Sequence, residues 1–192
     1  MPDLKTTRNA WHDRYIVGIS GAIAAGKTTA ATALRERGFA YARYSEVLAD
    51  LLRGRGREVD RRALQEIGEE VHSVPGQRWL SEQLLARIPM EAKLVVVDGL
   101  RFPDDHAFFA ERYGPNFIHC HVQAPREARR DRYLSMGFSE VDFELVTSHP
   151  VERGVPALAK LAHVQLNNAS SLEAFRARVV EAIAPVEKRA VV

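Results

Sequence analysis

From Gly21 to Thr28 the chain reads Gly-Ala-Ile-Ala-Ala-Gly-Lys-Thr, a loop bracketed by two glycines and closed by a lysine and a hydroxyl. Such a segment suits a polyphosphate. Its glycines let the backbone turn tightly, so that N–H groups of Gly21, Ala22, Ala24, Ala25 and Gly26 point inward at phosphate oxygens. Thr28 and Thr29 lead into a helix whose N-terminal end adds positive potential. Lys27 sets a charge between β- and γ-phosphates, and the Thr28 hydroxyl serves as a Mg²⁺ ligand. At average glycine usage the pattern arises by chance in roughly one chain in a hundred of this length. Its place between a strand and a helix makes the match more specific. The bland alternative is a glycine-rich turn with a solvated Lys27.

Other chemistry-bearing residues stand further along. Asp98 closes the run Leu-Val-Val-Val-Asp, where a strand-end carboxylate beside Thr28 can hold Mg²⁺ or its water. The plain reading is an acid steadying the next loop. Arg129 and Arg132 are spaced i, i+3, so both face one side of a helix; a solvated basic face has the same spacing. His119-Cys120-His121 invites a metal. Inside a strand, however, His119 and His121 share a face and Cys120 takes the other, so core packing is expected.

Short apolar runs alternating with amphipathic stretches must position these groups. Strands are expected at Tyr15–Ser20, Phe39–Tyr44, Leu94–Asp98, Phe117–Val122 and His163–Asn167. Helices are expected at Lys27–Arg37, Ser45–Arg53 with Ser45 as N-cap, Asp60–His72, Gly76–Ile88, Pro103–Tyr113, Pro125–Met136 and Ser139–Thr147. The last helix is expected to open on a capping box of Ser170 and Glu173. Strands joined through helices pair in parallel by right-handed crossovers and are covered on both faces. The expectation is a three-layer α/β sandwich with a mostly parallel five-stranded sheet. Ligands of such a fold sit at the carboxyl ends of the strands.

The bulk numbers exclude several alternatives. The 192 residues, 46% hydrophobic and 27% charged, fit one globular domain over 15–184, with a flexible lead-in at 1–14 and a tail at 185–192. A net charge of +2 gives no broad field for nucleic acid or an anionic membrane, so nucleic acid is an unlikely partner. The lone Cys120 cannot form an internal disulfide, and no apolar run approaches a membrane span. A cytoplasmic protein with no membrane association is expected.

The loop pattern G-x-x-x-x-G-K-S/T resembles that of the P-loop NTPase superfamily, over Tyr15 to about Ala184. The N-K-x-D guanine motif, the D-x-x-G switch and the L-S-G-G-Q signature are missing. A long helical insert at 45–90 and an Arg-rich, lid-like segment at 125–150 look like the small-molecule kinase branch, with its nucleoside monophosphate and dephospho-coenzyme A kinases. The resemblance implies roles for further residues. Asp98-Gly99-Leu100-Arg101 is similar to the D-G-x-R of nucleotide-kinase-like proteins and the D-V-R-F of phage deoxynucleoside monophosphate kinases, which implies that Arg101 faces the acceptor. Tyr44-Ser45-Glu46 looks like the acceptor-site S-x-D stretch, which implies Ser45 and Glu46 as acceptor ligands; the D-x-D of dephospho-coenzyme A kinases is absent. Arg129 and Arg132 match lid arginines that grip phosphates. Asn167 to Glu173 resembles the I/V-x-N-x-G/S-S-L-E segment that packs on the nucleotide base, which implies Asn168 there.

Together these imply an ATP- and Mg²⁺-dependent kinase acting on a nucleotide-like small molecule, foremost a (deoxy)nucleoside monophosphate. Hydroxyl phosphorylation of the dephospho-coenzyme A kind, a nucleotide-sensing ATPase without a small acceptor, and a kinase of nucleic-acid ends are the alternatives.

Overall fold

The computed structural model describes residues 13–190. Five strands, β1 (Tyr15–Gly21), β2 (Ala40–Arg43), β3 (Leu94–Leu100), β4 (Phe117–Gln123) and β5 (Val164–Asn167), form one sheet in the order β2-β3-β1-β4-β5. Every pairing is parallel. Gly18 lies opposite Val97 on one side and His119 on the other, so β1 and its loop occupy the middle of the sheet.

Alternation along the strands divides the core in two, because successive side chains leave opposite faces. Ile16, Val95, Val97 and Phe117 pack on one face against α2 (Tyr44–Gly54), α3 (Arg61–Val71), α4 (Gln77–Leu85) and α5 (Pro103–Tyr113). Val17, Ile19, Val96 and Cys120 take the other face, under α1 (Lys27–Arg35) and α9 (Leu172–Ala190). A small cluster of Ile23, Tyr133, Phe143 and Val146 ties the glycine-rich loop to α6 (Arg126–Ser135) and α7 (Glu140–Ser148). The short α8 (Val155–Leu161) precedes β5. Among the described residues no helix is long and apolar enough to cross a membrane.

His119 and His121 do share a face: both reach Ser20 Oγ, at 2.7 and 2.8 Å. Cys120 packs in the opposite core, and no group of metal-ligating side chains is found among the described residues.

Four local expectations need correction. Ser45 is not the N-cap of α2; Arg43 is, because Tyr44 is buried with its hydroxyl 2.7 Å from Ser81 Oγ, which draws the cap two residues earlier. Ser171 rather than Ser170 opens α9, its Oγ accepting from Ala174 N at 3.2 Å. The expected tail at 185–192 is helical to Ala190: Ile183 and Val186 are both buried, and their packing outweighs the bond Pro185 cannot donate. Arg37 locks this end, with Nε 2.6 Å and Nη2 2.7 Å from the Glu187 carboxylate. Of the expected lead-in, residues 1–12 lie outside the described residues, whereas Arg14 is buried and donates to Pro89 O and Met90 O at 2.8 and 2.9 Å.

Candidate active site

The loop after β1 has the backbone its sequence demands. Gly21 (φ +148°) lies so close to β4 that a Cβ there would sit 2.3 Å from Val122 O. Gly26 (φ +108°) has the Asn168 amide nitrogen only 2.2 Å from where its Cβ would be. Ala24 holds a left-handed φ of 58°, a conformation that alanine rarely adopts and that concentrates at ligand-binding sites. α1 begins at Lys27 with Gly26 as N-cap and no side-chain cap, so the helix end faces the loop's concavity.

Lys27 Nζ donates to the Gly21 and Ala22 carbonyls at 2.7 and 2.9 Å. Desolvation, and next the nearby Arg101 charge, lower its pKa to about 7. Asp98 is 1% exposed, and its Oδ2 accepts from Thr28 Oγ1 at 3.0 Å and Tyr41 OH at 3.1 Å, with Arg43 Nε 3.6 Å away. Burial, and then the Asp98 charge, push the Tyr41 hydroxyl well above its ordinary pKa, so it remains a donor. β3 runs past Asp98 to Leu100, with a register shift that pairs Ser20 to Leu100 and leaves Gly99 (φ +99°) out of the ladder. The bulge turns the chain so that Arg101 enters the site.

Arg129 and Arg132 meet the loop from α6. Arg132 Nη2 donates to Asn168 O at 2.8 Å, and its Nη1 reaches the Ala24 and Ala25 carbonyls at 3.5 and 3.4 Å. Arg129 Nη1 is 3.3 Å from Ile23 O, and desolvation lowers its pKa. Asn168 Nδ2 donates to Ala25 O at 2.8 Å, so its amide braces the loop.

Two cavities open at this edge. One, of about 710 Å³, includes Ala24, Gly26, Thr28, Thr29, Arg132 and Asn168 in its walls. The other, of about 440 Å³, lies beneath the helical insert, with Ser45, Leu48, Leu64, Leu80, Phe102 and Phe138 among its walls. Lys27, Arg43, Arg61 and Arg101 line both cavities, so four basic side chains stand where the two join. Arg101 Nη1 is paired with the Glu152 carboxylate, carried by the short 3₁₀ turn Pro150–Gly154.

The fold thus gathers Lys27, Thr28, Asp98, Asn168, Arg129, Arg132, Ser45 and Arg101 around one edge. Glu46 is left out: it is exposed and absent from both sets of walls. Sequence reasoning missed Arg43, Arg61, Gln77 and Glu152. Arg43 ends β2, so the rule that singled out Asp98 could have found it. Arg61, Gln77 and Glu152 carry no local signal and come from separate elements, two in the helical insert and one in the turn after α7.

No protein-family model matches the chain. A UPF0200 protein of Halobacterium salinarum is 28% identical over 176 residues, covering 88% of this chain and 92% of its own length. Among solved structures, TT1252 from Thermus thermophilus superposes with a TM-score of 0.62 at 26% identity, over 90% of this chain and 97% of that one. Shikimate kinase from Acinetobacter baumannii gives 0.58 at 16% identity, over 94% and 97% of the two chains. Dephospho-CoA kinase from Campylobacter jejuni gives 0.52 at 15%, over 91% and 98%. The fold is the α/β fold of P-loop small-molecule kinases.

Proposed function

We propose that the protein is an ATP- and Mg²⁺-dependent phosphotransferase whose acceptor is a nucleotide-like small molecule already carrying a phosphate, a (deoxy)nucleoside monophosphate. One observation carries the reading: Lys27, Arg43, Arg61 and Arg101 line both cavities and so face the place where a phosphoryl group would pass between them. Arginine binds phosphate through a planar fork, and fixed cations there offset the charge of two phosphates brought together.

The donor side fits ATP. Ala24, Gly26, Lys27 and the uncapped helix end line the larger cavity, whereas the Ala25 N–H, expected to face a phosphate, is 3.2 Å from Ala22 O and donates to it; Arg129 and Arg132 reach carbonyls of the loop. The Thr28 hydroxyl and Asp98 carboxylate are the hard oxygen donors that Mg²⁺ prefers. When bound, Mg²⁺ supplies charge neutralisation on the transferring phosphates.

The second cavity, at about 440 Å³, lies within the range of roughly 300–1,000 Å³ found for small-molecule sites. Apolar walls and cations suit a flat base and a phosphate. Each of its three carboxylates has one oxygen engaged: Asp60 caps α3 through Ala63 N at 2.7 Å, Glu152 pairs with Arg101, and Asp98 is held as above. An ionised phosphate acceptor needs no base to take its proton, and the basic side chains between the cavities are the partners that it does need.

The test is transfer from labelled ATP to a panel of nucleoside and deoxynucleoside monophosphates and dephospho-coenzyme A, with ATP alone as control. Labelled nucleoside diphosphate is the expected product. Hydrolysis that no acceptor accelerates would point to a nucleotide switch, and labelling of dephospho-coenzyme A alone would move the assignment to a hydroxyl.

A further inference from the structure

Phe138 lies between α6 and α7, and its backbone is pinned on both sides. Gly137 (φ +90°) makes the turn before it, and Ser139 after it caps α7 in reciprocal bonds with Asp142. Its ring stacks on Tyr133, with centroids 4.7 Å apart and planes 26° from parallel. An apolar residue just before a helix cap often packs down on the helix's fourth residue, which in α7 is Phe143. Here it is the buried Tyr133 that meets the fully buried Phe143 ring, at 5.6 Å. Phe138 is left 41% exposed and stands in the wall of the smaller cavity.

An aromatic ring held open in a cavity wall is a platform for another flat ring, and every nucleobase has a π-face to offer it. The rest of the lining agrees. Val59, just before the cap of α3, is 40% exposed in the same wall, and Leu48 and Leu64 add apolar surface. Arg43, Arg61 and Arg101 stand on the side shared with the larger cavity, where a phosphate belongs. Phe138 lines only the smaller cavity of the two, whereas its stacking partner Tyr133 lines the larger. The pair therefore reaches from one cavity to the other, with Phe138 at the acceptor end.

We propose that Phe138 stacks on the base of the acceptor, so that this ring supplies the preference for a nucleotide over a base-free sugar phosphate. The inference rests on the acceptor being a nucleoside monophosphate. α6, to which Tyr133 ties the ring, also carries Arg129 and Arg132, which reach carbonyls of the glycine-rich loop. The segment that reads the acceptor's base is thus the one that touches the donor's loop.

The experiment measures calorimetric binding of adenosine, guanosine, cytidine and thymidine monophosphates and of ribose 5-phosphate, with transfer from labelled ATP followed in parallel. At least one of the nucleotides should bind at least tenfold more tightly than ribose 5-phosphate. Phe138→Leu keeps apolar bulk and removes the ring. It should weaken that nucleotide at least fivefold, the lower end for a lost base–aromatic stack, and change ATP affinity less than threefold. Phe138→Trp should keep the wild-type affinity, and its fluorescence in excess of the wild type should be quenched by the nucleotide and not by ribose 5-phosphate. If circular dichroism shows that Phe138→Leu does not fold, this quench decides. The proposal is overturned by equal affinity for nucleotide and ribose 5-phosphate, by no nucleotide binding, by unchanged affinity in Phe138→Leu, by an equal loss of nucleotide and ATP, or by absence of the quench. Ring-dependent binding without phosphoryl transfer would refute the kinase reading and leave the stacking standing. Transfer to a nucleotide that Phe138→Leu binds as tightly as the wild type would do the reverse.

Discussion

If Lys27 carries a pKa near 7 in the free protein, nucleotide binding must bring a proton with it. Burial, with Arg101 close by, sets that value against an ordinary 10.5. Raising the pH from 7.5 to 9.0 takes the free ammonium from about one-quarter protonated to about one-hundredth. A polyphosphate in the loop restores the charged form. The apparent affinity for ATP should therefore fall about 25-fold over this range, and binding at pH 8 should take up about 0.9 proton. Most of the titration of ATP itself lies below this window, because a terminal phosphate loses its last proton near pH 6. Calorimetry in two buffers of different ionisation enthalpy measures the uptake directly. Lys27→Arg should flatten the profile, because a guanidinium stays protonated throughout. Constant affinity with no proton uptake in the wild type would mean that Lys27 is already charged, and the desolvation argument would fail.

Glu152→Gln should lower the acceptor KM about three- to tenfold by freeing Arg101 from its carboxylate partner; a raised KM would show that Glu152 itself holds the acceptor. Arg101→Lys should raise acceptor KM about tenfold with little change for ATP, because the planar fork is lost; a selective loss of ATP affinity would place Arg101 on the donor side. Glu46→Gln should change kcat and acceptor KM less than about threefold, since Glu46 is exposed outside both cavities; a loss of a hundredfold or more would return it to the chemistry. Burial first, then neighbouring His106, His121 and His163, depress the His119 pKa from 6.5 to about 3. The unfolded chain therefore binds the extra proton between these values. Denaturant midpoints should hold above pH 6.5 and fall as the pH drops toward 3, with a limit of about 5 kcal/mol; His119→Asn should blunt the fall.

The sequence by itself determined the parts that are local. Gly21 and Gly26 take the positive φ of +148° and +108° that the loop's own turn imposes, and the run to Asp98 encodes a strand buried on both faces; both were legible because the turn and the strand are each written in a short stretch of chain. The same holds for the alternation that separates His119 and His121 from Cys120. Helix ends were legible only to within a few residues, because Tyr44 and Val186 find their buried partners far along the chain. Only the tertiary structure decided the walls of the smaller cavity, the proposed acceptor side. Glu46 turned to solvent, whereas Glu152, more than a hundred positions later, reached Arg101. Arg43, Arg61 and Gln77 became cavity walls through the packing of the helical insert on the sheet, not through any spacing between them. A phosphate loop is made by one turn of backbone, so its residues must be adjacent; a cavity is made by surfaces that meet, and its residues need share nothing in sequence.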